Sequence, residues 1–407
     1  MISEENRSGR CDKGPEMRRT AALVLLILNA CRQGAQDHRS AFTTTDSAGV
    51  EIREYAPPKP WTAPVALHEM ARIGTVDGPP ETLFSGIPGG RILSDGRLML
   101  VDMASSEVRI FTRDGVFLES HGGKGQGPGE YEYIVGVGQC APVGFTVFDI
   151  GWKMSFYDSS GDFVREDVTR LEQGSTPYYL ACDTTGRVAV VNWDLSSKGP
   201  RIGFHTAMAR LEILAKGQDP VDLGERIGSE RFGLPGGSGP HPAGRSTRFG
   251  FAGPDLIVSD GSFFGYERWD STGRLVEIVR VAGVPPPNTD SLMAAYLDAA
   301  LAQAPNDEVR VRWRKQVADM GKPARSSFFS DLSVSGDWIL LKGLSVGSTG
   351  RWFAFDRDGA PLGYLPLPER AQLLDERDGK LLIATRDSLD VVSAVLYSVD
   401  GMGSSKD

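Results

Sequence analysis

The chain has 407 residues, with 44 Lys and Arg against 53 Asp and Glu, for a formal net charge of −9. That balance excludes nucleic-acid binding as the main role, because phosphate backbones recruit basic surfaces. Hydrophobic residues make up 40%, enough for a sizeable core; 49 glycines signal many tight turns; and no apolar run approaches the ~18 residues of a spanning helix, which excludes a polytopic membrane protein.

From the N-terminus, Met1–Glu16 is polar and charged, without apolar periodicity. Arg18 and Arg19 then precede the apolar run Ala21–Leu28, about half a bilayer span, and the small-residue end Asn29-Ala30-Cys31. This is the layout of a secretory signal. Leu28-Asn29-Ala30-Cys31 resembles the bacterial lipobox. The resemblance implies that Cys31 is diacylated, becomes the mature N-terminus and holds the chain at a membrane through its acyl chains. Arg32 rather than Asp after the cysteine implies the outer membrane, on its periplasmic side or at the cell surface. A plain cleaved signal is the alternative. An acidic leader suits export poorly, so translation is expected to begin at Met17. Residues 1–30 thus read as leader and signal, and 31–45 as a small, polar tether. The 377 residues from Cys31 onward carry −10.

Two extended segments follow, Val50–Tyr55 and Val65–Ile73, and then a repeat begins. Its clearest unit, Ile92–His121, reads as strand, turn, strand, Asp114-Gly115 hairpin, strand. The hairpin returns as an aromatic residue four before a glycine, at Gly161, Gly273, Gly359 and Gly401, with a degenerate copy at Gly217. The strand before it returns as Leu98–Asp102, Phe145–Asp149, Val188–Asn192, Leu256–Asp260, Trp338–Lys342 and Leu381–Thr385. Six copies predict an all-β fold: a six-bladed β-propeller of four-stranded antiparallel blades over residues 46–401, with a tail at 402–407. A small twisted sheet cannot bury both faces alone, and stacked blades bury them against each other. One of the two N-terminal extended segments should pair near Leu381–Val399 and close the ring. Paired β-sandwiches or a β-solenoid are the rival folds.

The interval between Gly273 and Gly359 is too long for one blade. It predicts a helical hairpin over about 288–321, between blades four and five, with Asn288 or Thr289 as cap. Leu292, Tyr296 and Ala300 form one stripe, and Val309, Trp313, Val317 and Met320 another. The outer face carries Arg310, Arg312, Arg314 and Lys315. It is either a solvated helix face or a basic patch for an anionic partner, and the hairpin either packs on the blades or lids the channel.

Beyond Cys31, the propeller region contains Cys140 and Cys182, at nearly the same point of successive repeats. They form a disulfide or two separate buried thiols. The five histidines are scattered, so no histidine-based metal or catalytic cluster is expected. The glycine-rich run His121–Tyr131 lacks the Gly-Lys-Ser/Thr ending of a phosphate loop, and reads as a crossing between blades. That run ("GGKGQGPGEYEYI"), with "DSAGVEIRE" and "LVDMASSEVRIFTRDGVFLESHG", resembles bacterial six-bladed β-propeller lipoproteins of the NHL/TolB-like group. The strong matches lie in residues 90–135, and Ser105 and Glu107 depart from the usual Asn and Arg. The resemblance implies architecture and envelope address, and little about activity.

The polar residues ending the recurrent strands include Asp102, Asp149, Asn192 and Asp260. They could ring the axis and hold a Ca²⁺ ion. The other reading is that they cap turns through side-chain to backbone bonds. No further cofactor is expected. Together these features predict a monomeric, lipid-anchored, non-enzymatic binding module for a protein or glycan partner in the envelope. The alternative is a metal-dependent, lactonase-like hydrolase or lyase working in the central channel.

Overall fold

The computed structural model describes residues 42–56, 65–138, 144–150, 153–168, 177–193, 202–234, 237–345 and 349–400. Six antiparallel sheets follow one another along the chain. Blade one contains β4 (Gly90–Ile92), β5 (Leu98–Asp102), β6 (Glu107–Phe111) and β7 (Phe117–Gly122). Blade two contains β8 (Ile134–Gly138), β9 (Phe145–Asp149), β10 (Lys153–Tyr157) and β11 (Phe163–Val168). Blade three contains β12 (Pro177–Cys182), β13 (Val188–Trp193), the long pair β14 (Gly203–Leu214) and β15 (Val221–Leu234), and a fifth strand, β16 (Gly237–Pro240). Blade four contains β17 (Arg248–Ala252), β18 (Asp255–Ser259), β19 (Gly265–Trp269) and β20 (Leu275–Val281). Blade five contains β21 (Phe329–Ser335), β22 (Trp338–Gly343), β23 (Thr349–Asp356) and β24 (Pro361–Pro368). Blade six contains β25 (Gln372–Arg377), β26 (Lys380–Arg386) and β27 (Val392–Val399), and takes its outer strand, β3 (Leu67–Ile73), from the N-terminal side. The chain is a six-bladed β-propeller, and the expected ring closure is present.

The recurrent strands of the sequence are the second strands of the blades. LMLVD and FTVFD are buried at every position, because both faces of a blade meet a neighbour. The apolar clusters follow the blade boundaries. One joins Met99, Val101 and Ile110 to Phe145, Val147 and Tyr157 across blades one and two. Another joins Ile73, Leu382 and Leu396 to Leu98, Leu100 and Phe111, sealing blade six to blade one.

The outer hairpins add a second contact. Gly115, Gly161, Gly273 and Gly359 all have φ between +81° and +90°, so each turn needs glycine. Each also sits against the preceding blade, where an added Cβ would come within 3.1 Å of Ile73 Cγ1, 3.3 Å of Ile110 Cδ1, 2.3 Å of Val221 Cγ1 and 2.9 Å of Val279 Cγ2 respectively.

The first extended segment does something the sequence did not announce. β1 (Phe42–Ser47) and β2 (Val50–Tyr55) form a hairpin, and β2 joins blade four in parallel with β20. Val65 N then donates to Tyr364 O of β24, 3.1 Å, before β3 enters blade six. The N-terminal segment therefore touches the outer edges of three consecutive blades.

The helical hairpin consists of α1 (Thr289–Ala302) and α2 (Asp307–Asp319). Asn288 caps α1 by accepting from Ser291 N at 2.9 Å, and Asn306 caps α2 by accepting from Val309 N at 3.0 Å. Leu292, Met293 and Met320 are buried with Ala243, beside Phe232 and Leu344. The hairpin thus packs on the extended part of blade three and the end of β22. Arg310 pairs with Asp307 at 2.8 Å, while Arg312, Arg314 and Lys315 are exposed. No described helix is long and apolar enough to cross a membrane.

Candidate ligand site on the propeller axis

The first strands of the six blades surround a cavity of about 880 Å³. These strands differ in sequence from blade to blade, from IVGVG in β8 to QLLDER in β25, and lack the uniformly buried apolar run of the second strands. Gly89 and Gly250 allow neighbouring first strands to press together: an added Cβ would lie 2.6 Å from Val137 Cγ2 and 3.0 Å from Val334 Cγ2 respectively. Gly136 differs, since a Cβ there would meet nothing within 4 Å. Val135, Phe148, Ile150, Phe249 and Phe251 supply apolar wall, and no residue of the helical hairpin reaches it.

Among the described residues, three charged ones line this space: Arg91, Asp183 and Arg357. Asp183 is consumed by its own turn. Its Oδ1 accepts from Thr185 N (2.9 Å), Thr185 Oγ1 (2.8 Å) and Arg187 N (2.9 Å), and its Oδ2 from Arg187 Nε (2.6 Å). Arg91 Nη1 donates to Asp375 Oδ1 at 2.9 Å. Asp375 also accepts from Ser335 Oγ (2.6 Å) and Ile92 N (2.8 Å). This buried carboxylate ties blades five, six and one together and faces the arginine from behind. Arg357 Nε donates to Gly336 O at 2.8 Å.

Next to Asp375, the buried Glu376 accepts from Asp337 N (3.0 Å) and Gly379 N (3.1 Å). Desolvation pushes its pKa up to about 7, with the two backbone donors acting in the opposite direction and the Asp375 charge adding to the rise.

None of the four ring candidates lines the cavity. Asp102 accepts from Ser85 N (3.0 Å) and Ser105 N (2.9 Å), and Asp149 from Glu132 N (2.7 Å). Ser85 and Glu132 each stand 17 positions before their aspartate. The strand-ending carboxylate thus clamps the segment that leads into its own blade. Asp260 accepts from Ser262 N (2.9 Å), and Asn192 Nδ2 donates to Glu212 Oε2. In blade five the same position is Lys342, whose Nζ donates to Glu369 O at 2.7 Å, with the polarity reversed. Among the described residues, no group of three His, Cys, Asp or Glu side chains could hold a metal ion. Asp102, Asp149 and Asp260 make the side-chain to backbone bonds of the turn-capping reading, while Asn192 bonds a side chain instead.

Cys182 is disulfide-bonded. Cys140 and Cys31 lie outside the described residues. The glycine-rich run folds as a closed loop: Glu130 Oε2 accepts from Gly127 N at 2.9 Å, and Lys153 donates to Gly127 O and Glu130 O. It delivers the fully buried Tyr131 between blades one and two. Sequence reasoning missed Arg91, Asp375, Glu376 and Arg357. The available signal was the adjacent pair Asp375-Glu376 ahead of the Asp378-Gly379 turn, where two carboxylates enter a strand that must be buried.

A family model described as a 6-bladed beta-propeller matches residues 85–137, which covers blade one and the first strand of blade two. No curated protein matches the chain. Among solved structures, a candidate exported protein from Bacteroides fragilis is similar at 13% identity and a TM-score of 0.48, over 86% of this chain and 99% of its own. A streptogramin B lyase is similar at 12% identity and 0.40, over 84% and 100%. A virginiamycin B lyase from Staphylococcus aureus is similar at 11% identity and 0.36, over 76% and 81%. At these scores none bears on activity; the family match agrees with the six blades of this chain.

Proposed function

We propose that this chain is an exported β-propeller, held at a membrane by a lipid on Cys31, that acts as a binding module with its axial cavity as the site. The observation that carries the binding reading is the cavity itself. Its volume of about 880 Å³ falls in the range of small-molecule pockets, and its wall combines apolar side chains such as Val135, Phe249 and Phe251 with a comparable share of polar groups. Export is supported by the signal-like segment Met17–Cys31 and by the disulfide at Cys182, since such bonds persist in oxidising compartments. We assign Cys140 as its partner.

Gly136→Trp tests the site, because a side chain at Gly136 enters open space rather than a neighbour. The full chain should bind the neutral, apolar probe N-phenylnaphthylamine saturably, at one per chain, by fluorescence. The variant should keep the same thermal unfolding and lose the binding. Equal binding by wild type and variant would remove the cavity as the site.

A further inference from the structure

We infer that the axial cavity selects an amphipathic anion, a ligand with an apolar or aromatic body and one carboxylate, phosphate or sulfonate group, and that Arg91 reads the charge. This rests on the axial-site reading above.

Of the three described charged residues lining the cavity, Asp183 has both oxygens committed to its own turn, and its side chain is 1% exposed. The other two are guanidinium groups. Arg91 is 18% exposed, and its Nε makes no hydrogen bond to any described group. Its partner Asp375 is turned away: Oδ1 is shared by Arg91 and Ser335, and Oδ2 is taken by Ile92 N. The arginine that lines the cavity is thus anchored from behind by a buried carboxylate, with its Nε buried as well. Arg357 is anchored by Gly336 O and lies 3.7 Å from Asp337, and its Nη1 lies near Gly253, another lining residue. Among the described residues, neither Asp375 nor Asp337 lines the wall, so the arginines are the charged groups presented there besides Asp183.

An arginine held in place by a buried acceptor is preorganised for a planar anion, which it can meet with two parallel N–H donors. Partial exclusion of water from a cavity strengthens that contact relative to open solvent. The aromatic and branched side chains opposite suit a ring or short chain rather than a sugar or a peptide backbone.

The test uses two probes with one ring body, anilinonaphthalene sulfonate and the neutral N-phenylnaphthylamine, on the full chain. Wild type should bind the sulfonate about tenfold or more tightly than the neutral probe, the size expected for a charge-assisted hydrogen bond. Arg91→Gln should lose most of that preference while retaining the neutral probe, and Arg91→Lys should restore part of it. Arg91→Gln alone leaves Asp375 short of a partner. The charge-balanced pair Arg91→Gln with Asp375→Asn therefore serves as second variant, and should show the same loss with unfolding still cooperative. Equal affinity of wild type for both probes would overturn the inference and leave the axial site standing. So would a sulfonate preference that survives either Arg91→Gln variant or Gly136→Trp. Failure of wild type to bind either probe would overturn the axial site as well.

Discussion

Glu376 shows how much a single buried carboxylate can control. Its folded pKa of about 7 stands above the ordinary glutamate value of 4.5 because burial penalises the charge more than two backbone donors reward it. The sign follows from proton counting. Between about pH 4.5 and 7 the folded state holds a proton that the unfolded state has released, so stability falls as pH rises through that window. Above it both states are ionised and the penalty is constant. Thermal unfolding of the wild type should therefore shift downward from pH 5 to pH 7.5. Glu376→Gln, which mimics the protonated form, should flatten that slope and unfold at higher temperature at pH 7.5. A steeper slope in the variant would refute the assignment. At this scale the sequence is legible only in part. It marks Asp102 and Asp149 as strand-ending residues, but period-two alternation gives a face, not whether a side chain curls back to a backbone amide. The channel residues were not legible because the first strands differ in length and sequence from blade to blade, as QLLDER in β25 and IVGVG in β8 show, so no repeated letter marks the axis.

The blade hairpins were readable because turn chemistry is local. An aspartate that accepts from residues two and four ahead, as Asp270 does from Thr272 N (2.9 Å) and Arg274 N (3.0 Å), followed by a glycine with positive φ, is written in five consecutive letters. What those letters do not state is the contact across the blade boundary. Gly359 has φ +89°, and an added Cβ would lie 2.9 Å from Val279 Cγ2 and 3.0 Å from Tyr266 Oη. Gly359→Ala should cost about 1–3 kcal/mol in urea unfolding, from left-handed strain plus displacement of the neighbour. Gly217, whose φ is +73° but whose Cβ would meet nothing within 4 Å, should lose only the strain. Equal costs at the two positions would show that the boundary contact contributes nothing. The helical hairpin was legible through Asn288 and its apolar stripe. The parallel union of β2 with β20 was not, since no local pattern distinguishes a strand that will pair with a distant edge.

For the whole molecule, the architecture is readable from the repeat, whose six copies are the six blades. The proposed lipid on Cys31 is a separate matter that the blades do not decide, and it carries its own test. Expressed with its signal, wild type should partition into the detergent phase of an envelope extract and incorporate labelled palmitate. Cys31→Ser should lose the label and leave the membrane fraction while unfolding as wild type does. A variant that stays membrane-bound would reassign attachment to the propeller surface, where Arg312, Arg314 and Lys315 are exposed.

The closure of blade six has a consequence for how the chain is made. β3 is synthesised before every other strand of blades one to six apart from the hairpin that β1 and β2 add to blade four, and its partner β27 after every other: Ile73 meets Ala394, and Leu67 meets Val399. Until the last strand arrives, β3 has nothing to pair with, and the apolar face that blade one offers to blade six, with Ile92, Leu98 and Phe111, stays uncovered. A chain cut short by even its final strand cannot hide that face, and it keeps an unpaired edge open to proteases and to aggregation. The fold thereby couples the last strand made to one of the first: once β27 is synthesised, the edge of β3 and the open face of blade one are covered together.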